Sequence, residues 1–126
     1  MTFAATPELD DAMLTGIAGV LDASADPAYA VILDASATEL VTIVFAKPAA
    51  ELVDHELVFT QGDLTGDLIP TQGNATSFEL YNGAGTLLGA GSVSDVEGSG
   101  DLKISGTTGT LLYAGARAIL GELKFG

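Results

Sequence analysis

The stretch whose reading decides the fold is FELYNGAGTLLGAGSV, residues 78–93. Phe78 and Leu80 alternate with Glu79 and Tyr81, which gives a strand one apolar face and one mixed face. Asn82-Gly83-Ala84-Gly85 supplies residues that accept tight-turn backbone conformations, and TLLGAGSV leaves as a second strand. This is a β-hairpin with its turn written into it.

Working outward, the same punctuation recurs on both sides. Upstream, AYAVIL (residues 28–33), ELVTIVF (39–45) and ELVFTQ (56–61) are β-rich runs. ELVTIVF carries little polar residue on either face, which suggests a strand covered on both sides. DASAT separates the first two runs, and AKPAAELVDH (46–55) reads as a loop or a single helical turn. Downstream, SDVEGSGD (94–101) is a polar turn, LKIS (102–105) a short strand and GTTGTLLYAG (106–115) a broken one. In ARAILGELKF, Ala116, Ala118, Leu120, Glu122 and Lys124 alternate against Arg117, Ile119, Gly121, Leu123 and Phe125.

The one helix signal lies at the start, over residues 7–22. Thr6 can cap it, Pro7 suits the first helical position, and Glu8, Asp10 and Asp11 complement the dipole. Leu9, Ala12, Met13, Ile17, Val20 and Leu21 form its apolar stripe, while Gly16 and Gly19 each weaken it by roughly 1 kcal/mol relative to Ala. About seven to nine short strands after one helix predict a mainly β, single-domain fold. The expectation is an antiparallel β-sandwich or jelly-roll-like barrel over residues 28–125.

Composition narrows the function. The 126 residues carry 17 acidic side chains against four bases, Lys47, Lys103, Arg117 and Lys124, for a net charge of −13. Such a surface repels phosphate backbones and anionic lipid, so neither nucleic acid nor membrane is an expected partner. The charge favours solubility despite a mean hydropathy of +0.42. Cysteine is absent, the start carries no secretory pattern, and no apolar run approaches the roughly 18 residues of a membrane span.

The search for chemistry yields few candidates. His55 lies between Asp54 and Glu56, but neighbouring strand residues point to opposite faces and no second His or any Cys completes a metal site. Asp95, Glu97 and Asp101 place three carboxylates around two glycines, the weak candidates for a calcium site. Asp63 and Asp67 invite the same thought. Acidic turn residues are also common for backbone reasons alone. No serine sits in a nucleophile elbow, and the glycines complete neither a dinucleotide fingerprint nor a P-loop. Tyr29, Tyr81 and Tyr113 without any Trp give little platform for sugars. The Asn74-Ala75-Thr76 sequon means little without a signal sequence. The expectation is a protein that is not an enzyme and holds no cofactor.

The order of segments resembles a group of small tailed-bacteriophage virion proteins. The likeness rests on the helix LDDAMLTGIAGVL, the corner FAKPA, and above all residues 73–126, GNATSFELYNGAGTLLGAGSVSDVEGSGDLKISGTTGTLLYAGARAILGELKFG. The shared features are a Gly-x-Ala-Thr start, an aromatic-bearing strand, a G-x-L hairpin, a GDL strand and a final strand at the C-terminus. The resemblance implies a capsid decoration (cement) protein in the virion, assembled in the host cytoplasm. It would bind the major capsid protein or other virion proteins, as a homo-oligomer (dimer or trimer). MTFAAT and the first helix are the expected contacting or swapping element. The alternatives are a tail, neck or fibre-associated protein and, from another class, a calcium- or glycan-binding β module.

Overall fold

The structure is a computed structural model that describes residues 7–107 and 109–125, with side chains from residue 12 onward. It is mainly β, with one N-terminal helix, α1 (Pro7–Leu21). The longer strands are β1 (Tyr29–Leu33), β2 (Glu39–Val53), β3 (Glu56–Gln61), β6 (Ser77–Tyr81), β7 (Leu87–Asp95), β8 (Leu102–Ser105) and β10 (Arg117–Phe125). Between them lie three two-residue strands, β4 (Asp67–Leu68), β5 (Gly73–Asn74) and β9 (Leu111–Leu112). Seven strands run in the order β3-β2-β1-β6-β7-β8-β10, and a β10–β3 pairing closes them into a barrel. β4 is an extra strand on β10, and β5 pairs with β9 outside the barrel.

The hairpin of residues 78–93 is β6–β7, and each turn residue has a distinct task. Asn82 Oδ1 accepts from the N–H groups of Ala84 and Thr86 at 3.1 and 3.0 Å. Gly85 adopts φ +86°, a conformation that favours glycine. A Cβ on Gly83 would lie 1.9 Å from the Asp26 carbonyl oxygen, so this turn packs directly on the segment before β1.

Several local expectations need correction. AKPAAELVDH is not a loop or helical turn: β2 continues through it to Val53. The register slips between Phe45↔Gln61 and Ala50↔Phe59, around a cis Lys47–Pro48 bond. Asp54 and His55 alone make the turn to β3, at φ 50° and 66°, so the pair marks a two-residue hairpin. In β10 the alternation does not persist, because the register slips between Leu120 and Glu122. Ala118 and Leu123, assigned to opposite faces by alternation, are therefore both buried. Finally, the sheet is not wholly antiparallel, since β7 and β8 run parallel from Val93↔Leu102 to Asp95↔Ile104.

That parallel pair is unusual because only six residues connect its strands, where a crossover normally takes a dozen or more. The chain doubles back tightly against β7. Gly100 N–H donates to Ser94 Oγ at 2.9 Å, and Asp101 N–H to Ser92 Oγ at 3.2 Å. A Cβ on Gly100 would sit 2.5 Å from the Ser94 nitrogen, so no larger residue fits without displacement.

The core fills the barrel, with Phe45 and Phe59 rings 5.1 Å apart, packed with Ile32, Ile43, Leu102 and Ile104. α1 buries Leu14 and Leu21, with Ile17 and Ala18 half-buried against the core. This face is rotated from the predicted stripe: Met13 and Val20 are about half exposed, 51% and 48%. Lys47 donates its ammonium protons to the carbonyls of Asp22 and Ser24 just past the helix end, and Asp22 Oδ1 accepts from Ala49 N–H. Cationic and main-chain donors at a helix C-terminus suit its dipole. The helix is thereby pinned at one end to the kink in β2.

Candidate functional site

The structure first shows what the acidic turns do. Asp95 Oδ1 accepts from Glu97 N–H at 3.1 Å, and its Oδ2 from Gly109 N–H at 2.8 Å. Asp101 Oδ2 accepts from the Ser92 N–H and hydroxyl. Thr65's hydroxyl, at 2.6 Å, and its N–H hold the Asp63 carboxyl below the ordinary carboxylate range. Asp34 caps two N–H groups of the β1–β2 turn in the same way. These side chains stand in for strand partners that the turning backbone lacks. Among the described residues, no three of His, Cys, Asp and Glu come together in a way that could hold a metal ion. Tyr81 stacks on Tyr29 with ring centroids 5.2 Å apart, and its hydroxyl donates to Glu79. Burial of the ring, then Glu79, push its phenol above the usual tyrosine range.

The distinctive geometry lies on either side of β10. On one side, β3 pairs with only Lys124 and Phe125, and β4 with only Arg117 and Ala118. Gln61 closes the interval between them. Its amide nitrogen donates to Ala118 O at 3.0 Å and to Asp67 Oδ2 at 2.8 Å, while its Oε1 accepts from Leu120 N–H at 2.8 Å. Asp67 Oδ2 also accepts from Val44 N–H. Gln61 is buried, at 5% exposure, with every polar atom of its side chain satisfied. This seam is sealed by a side chain acting as a piece of strand.

On the other side, β8 is four residues long between neighbours of nine, so it fills only part of the interval between β7 and β10. The β8 ladder on β7 begins at Val93. Val93 N–H donates to Thr76 O on the β6 side, while Ser92 N–H points the other way and is met by Asp101. By alternation the main-chain groups of Ala90 face the interval too. Among the described residues no strand pairs with them there. Leu88 is the extra residue of a bulge, since Leu80 pairs with Gly89 and Tyr81 with Leu87.

Behind this opening lies a cavity of about 620 Å³, within the ordinary range of binding pockets. Its walls are Met13, Gly16, Ile17 and Val20 of α1, Phe59 of β3, and Phe78 and Leu80 of β6. Leu88–Ala90 of β7 and Leu123–Phe125 of β10 complete them, with Asp101 at the edge. Glycine makes the space. Gly89 shares the inward face with its partner Leu80, and neither it nor Gly16 on the opposing helix has anything within 4 Å of where a Cβ would stand. Gly91 differs, because the Phe78 ring lies over it at 2.7 Å from that position. The rim exposes Met13, Val20, Leu88 and Phe125. Among the described side chains that line it, the ionisable groups are Asp101 and Lys124, of opposite sign, and the rest are apolar or glycine.

Of the sequence candidates, Asp95 ends β7, Glu97 and Asp101 lie in the return that follows, and Asp101 alone borders the cavity. His55 belongs to the β2–β3 turn and is not among the residues lining the cavity. The seam itself escaped the sequence reading, although two inward glycines in TLLGAGSV were a visible sign of missing side-chain volume. No family model matches the chain, and no curated protein or solved structure matches it either.

Proposed function

We propose that this protein is a non-enzymatic structural component of a tailed-bacteriophage particle, a capsid decoration protein that binds and stabilises the assembled shell of major capsid protein. The observation that carries a contact role is the open seam, an apolar slot with main-chain groups left for another chain. Strand addition and apolar anchoring together are a common mode of protein recognition. The acidic loops support the same reading, since Asp34, Asp63, Asp95 and Asp101 are engaged in holding their own turns. The virion assignment rests on the resemblance over residues 73–126. Repetition over a lattice would let many weak contacts act together.

The test is copy number and position in purified particles, by quantitative mass spectrometry with particle imaging. Copies arrayed over the head are the expected result. A few copies at the neck or tail would move the assignment there. Absence from the particle overturns it, and a calcium-dependent rise in Tm or glycan binding would then favour the binding-module alternative.

A further inference from the structure

The open seam constrains its occupant. It is the unfilled continuation of the β8 position, bordered by β7 on one side and the end of β10 on the other. Strands in a sheet stand roughly 4.8 Å apart, so a single free chain fits between two such borders. A strand that arrives with its own sheet behind it does not, because its neighbour would collide with β10 and β3. This excludes β7 of a second barrel. The occupant must be an extended segment with two free edges, a side chain able to fill the apolar void beside Gly89 and Gly16, and no charge to bury.

One segment of this chain outside the described residues has that chemistry. Residues 1–6, MTFAAT, carry no charged side chain in a protein of net charge −13, and they contain an aromatic anchor, Phe3. Extended, they span about 20 Å, enough to run past Leu88–Ala90. They join α1 at Pro7, which disfavours a helical conformation at Thr6 and favours an extended one. For the segment to enter the seam of its own barrel, it would have to reverse and run back beside Met13. Turning consumes several of six residues and leaves too few to pair. A neighbouring molecule has no such restriction.

We infer that residues 1–6 of a second copy of this chain occupy the seam, pairing with the main chain of Ala90 and inserting Phe3 between Gly89 and Gly16. The exchange links copies into a homo-oligomer through a segment rather than a face. It rests on reading the seam as a contact site but not on the virion assignment.

Because the chain has no cysteine, single-cysteine variants give a clean test. Ala90 lies on the outward face, opposite to Gly89, and Ala4 would share that face if Phe3 points inward. Purified Ala4→Cys and Ala90→Cys proteins are mixed and oxidised, with Ala4→Cys plus Ala84→Cys as the control at an exposed turn. The expected result is a covalent heterodimer forming at least tenfold faster with Ala90→Cys than with Ala84→Cys. Deletion of residues 2–6 should convert the oligomer to a monomer by light scattering. Equal rates for the two mixtures overturn the inference, as does an oligomer that survives the deletion. A double Ala4→Cys/Ala90→Cys variant that closes only within one chain overturns it as well and makes the segment's own barrel the site. Success here with absence from particles would leave the exchange standing and reject the virion reading, so the two fail separately.

Discussion

The two seams that flank β10 pose the same physical problem and receive opposite solutions. In each, a neighbouring strand is too short to satisfy the main chain beside it. On the β3 side, Gln61 reaches across and takes both Ala118 O and Leu120 N–H. On the β7 side, Asp101 satisfies Ser92, and among the described residues no strand pairs with Ala90 on its edge away from β6. Buried main-chain groups are almost always paired, so a sealed seam is what folding alone demands. The open seam differs, because Ala90 is exposed and water can meet its main-chain groups, while the apolar lining beside it forgoes burial that a further chain would supply. The contrast teaches that the barrel is sealed by its own side chain on one side and leaves an apolar edge open on the other.

The comparison breaks most sharply at Gln61. Gln61→Leu keeps the volume but strands a buried carbonyl and a buried N–H, each costing about 1–3 kcal/mol. Chemical denaturation should show a loss of about 3 kcal/mol. A loss below about 0.5 kcal/mol would mean water replaces the amide and the seam is not truly sealed. Next comes the return that keeps β8 short. Gly100→Ala forces a Cβ against the Ser94 nitrogen and should cost about 2 kcal/mol, read from the same unfolding curve. An unchanged midpoint would show that the return is loose.

The open side should respond in the other direction. In the protein lacking residues 2–6, Gly16→Ala adds a methyl where nothing stands within 4 Å and removes a helix-interior glycine, so stability should rise by about 1 kcal/mol. A fall would show that this wall is already packed. The smallest effect concerns neither seam and calibrates both. Asp63 is fully exposed, with its carboxyl held below the ordinary value of 3.8 by Thr65. A depressed folded value means its contribution is present above the unfolded pKa and is lost as pH falls through the folded one. Asp63→Asn should lower Tm slightly at neutral pH and not at all in strong acid, as a pair of melting curves would show.

Much of this was legible in local sequence. The β6–β7 hairpin, its Asn82 cap, the helix and the mainly β class all depend on neighbours a few residues apart. The seams do not. Gln61 meets its β10 partners 57 and 59 residues later in the chain, and no local rule pairs them. The sign was there in ELVFTQ, where Leu57, Phe59 and Gln61 share one face and both apolar members are buried. A polar residue in an inward position implies a main-chain partner. From sequence the parallel return at β8 reads as a polar turn with weak calcium candidates, because acid and glycine serve backbone capping as readily as metal binding. The slip in β10 reversed the faces predicted for its last residues, and Gly121 marks it. A Cβ there would stand 3.0 Å from Lys103 O.

The most direct test of the account is residue-resolved amide hydrogen exchange on the protein lacking residues 2–6. Leu120, bonded to Gln61, should be protected nearly to the level of global unfolding, while Ala90 should exchange orders of magnitude faster. Ala90 should then become protected in the full-length oligomer. Equal protection of Ala90 and Leu120 in the shortened monomer would mean that both seams are closed within one chain, and would contradict the account.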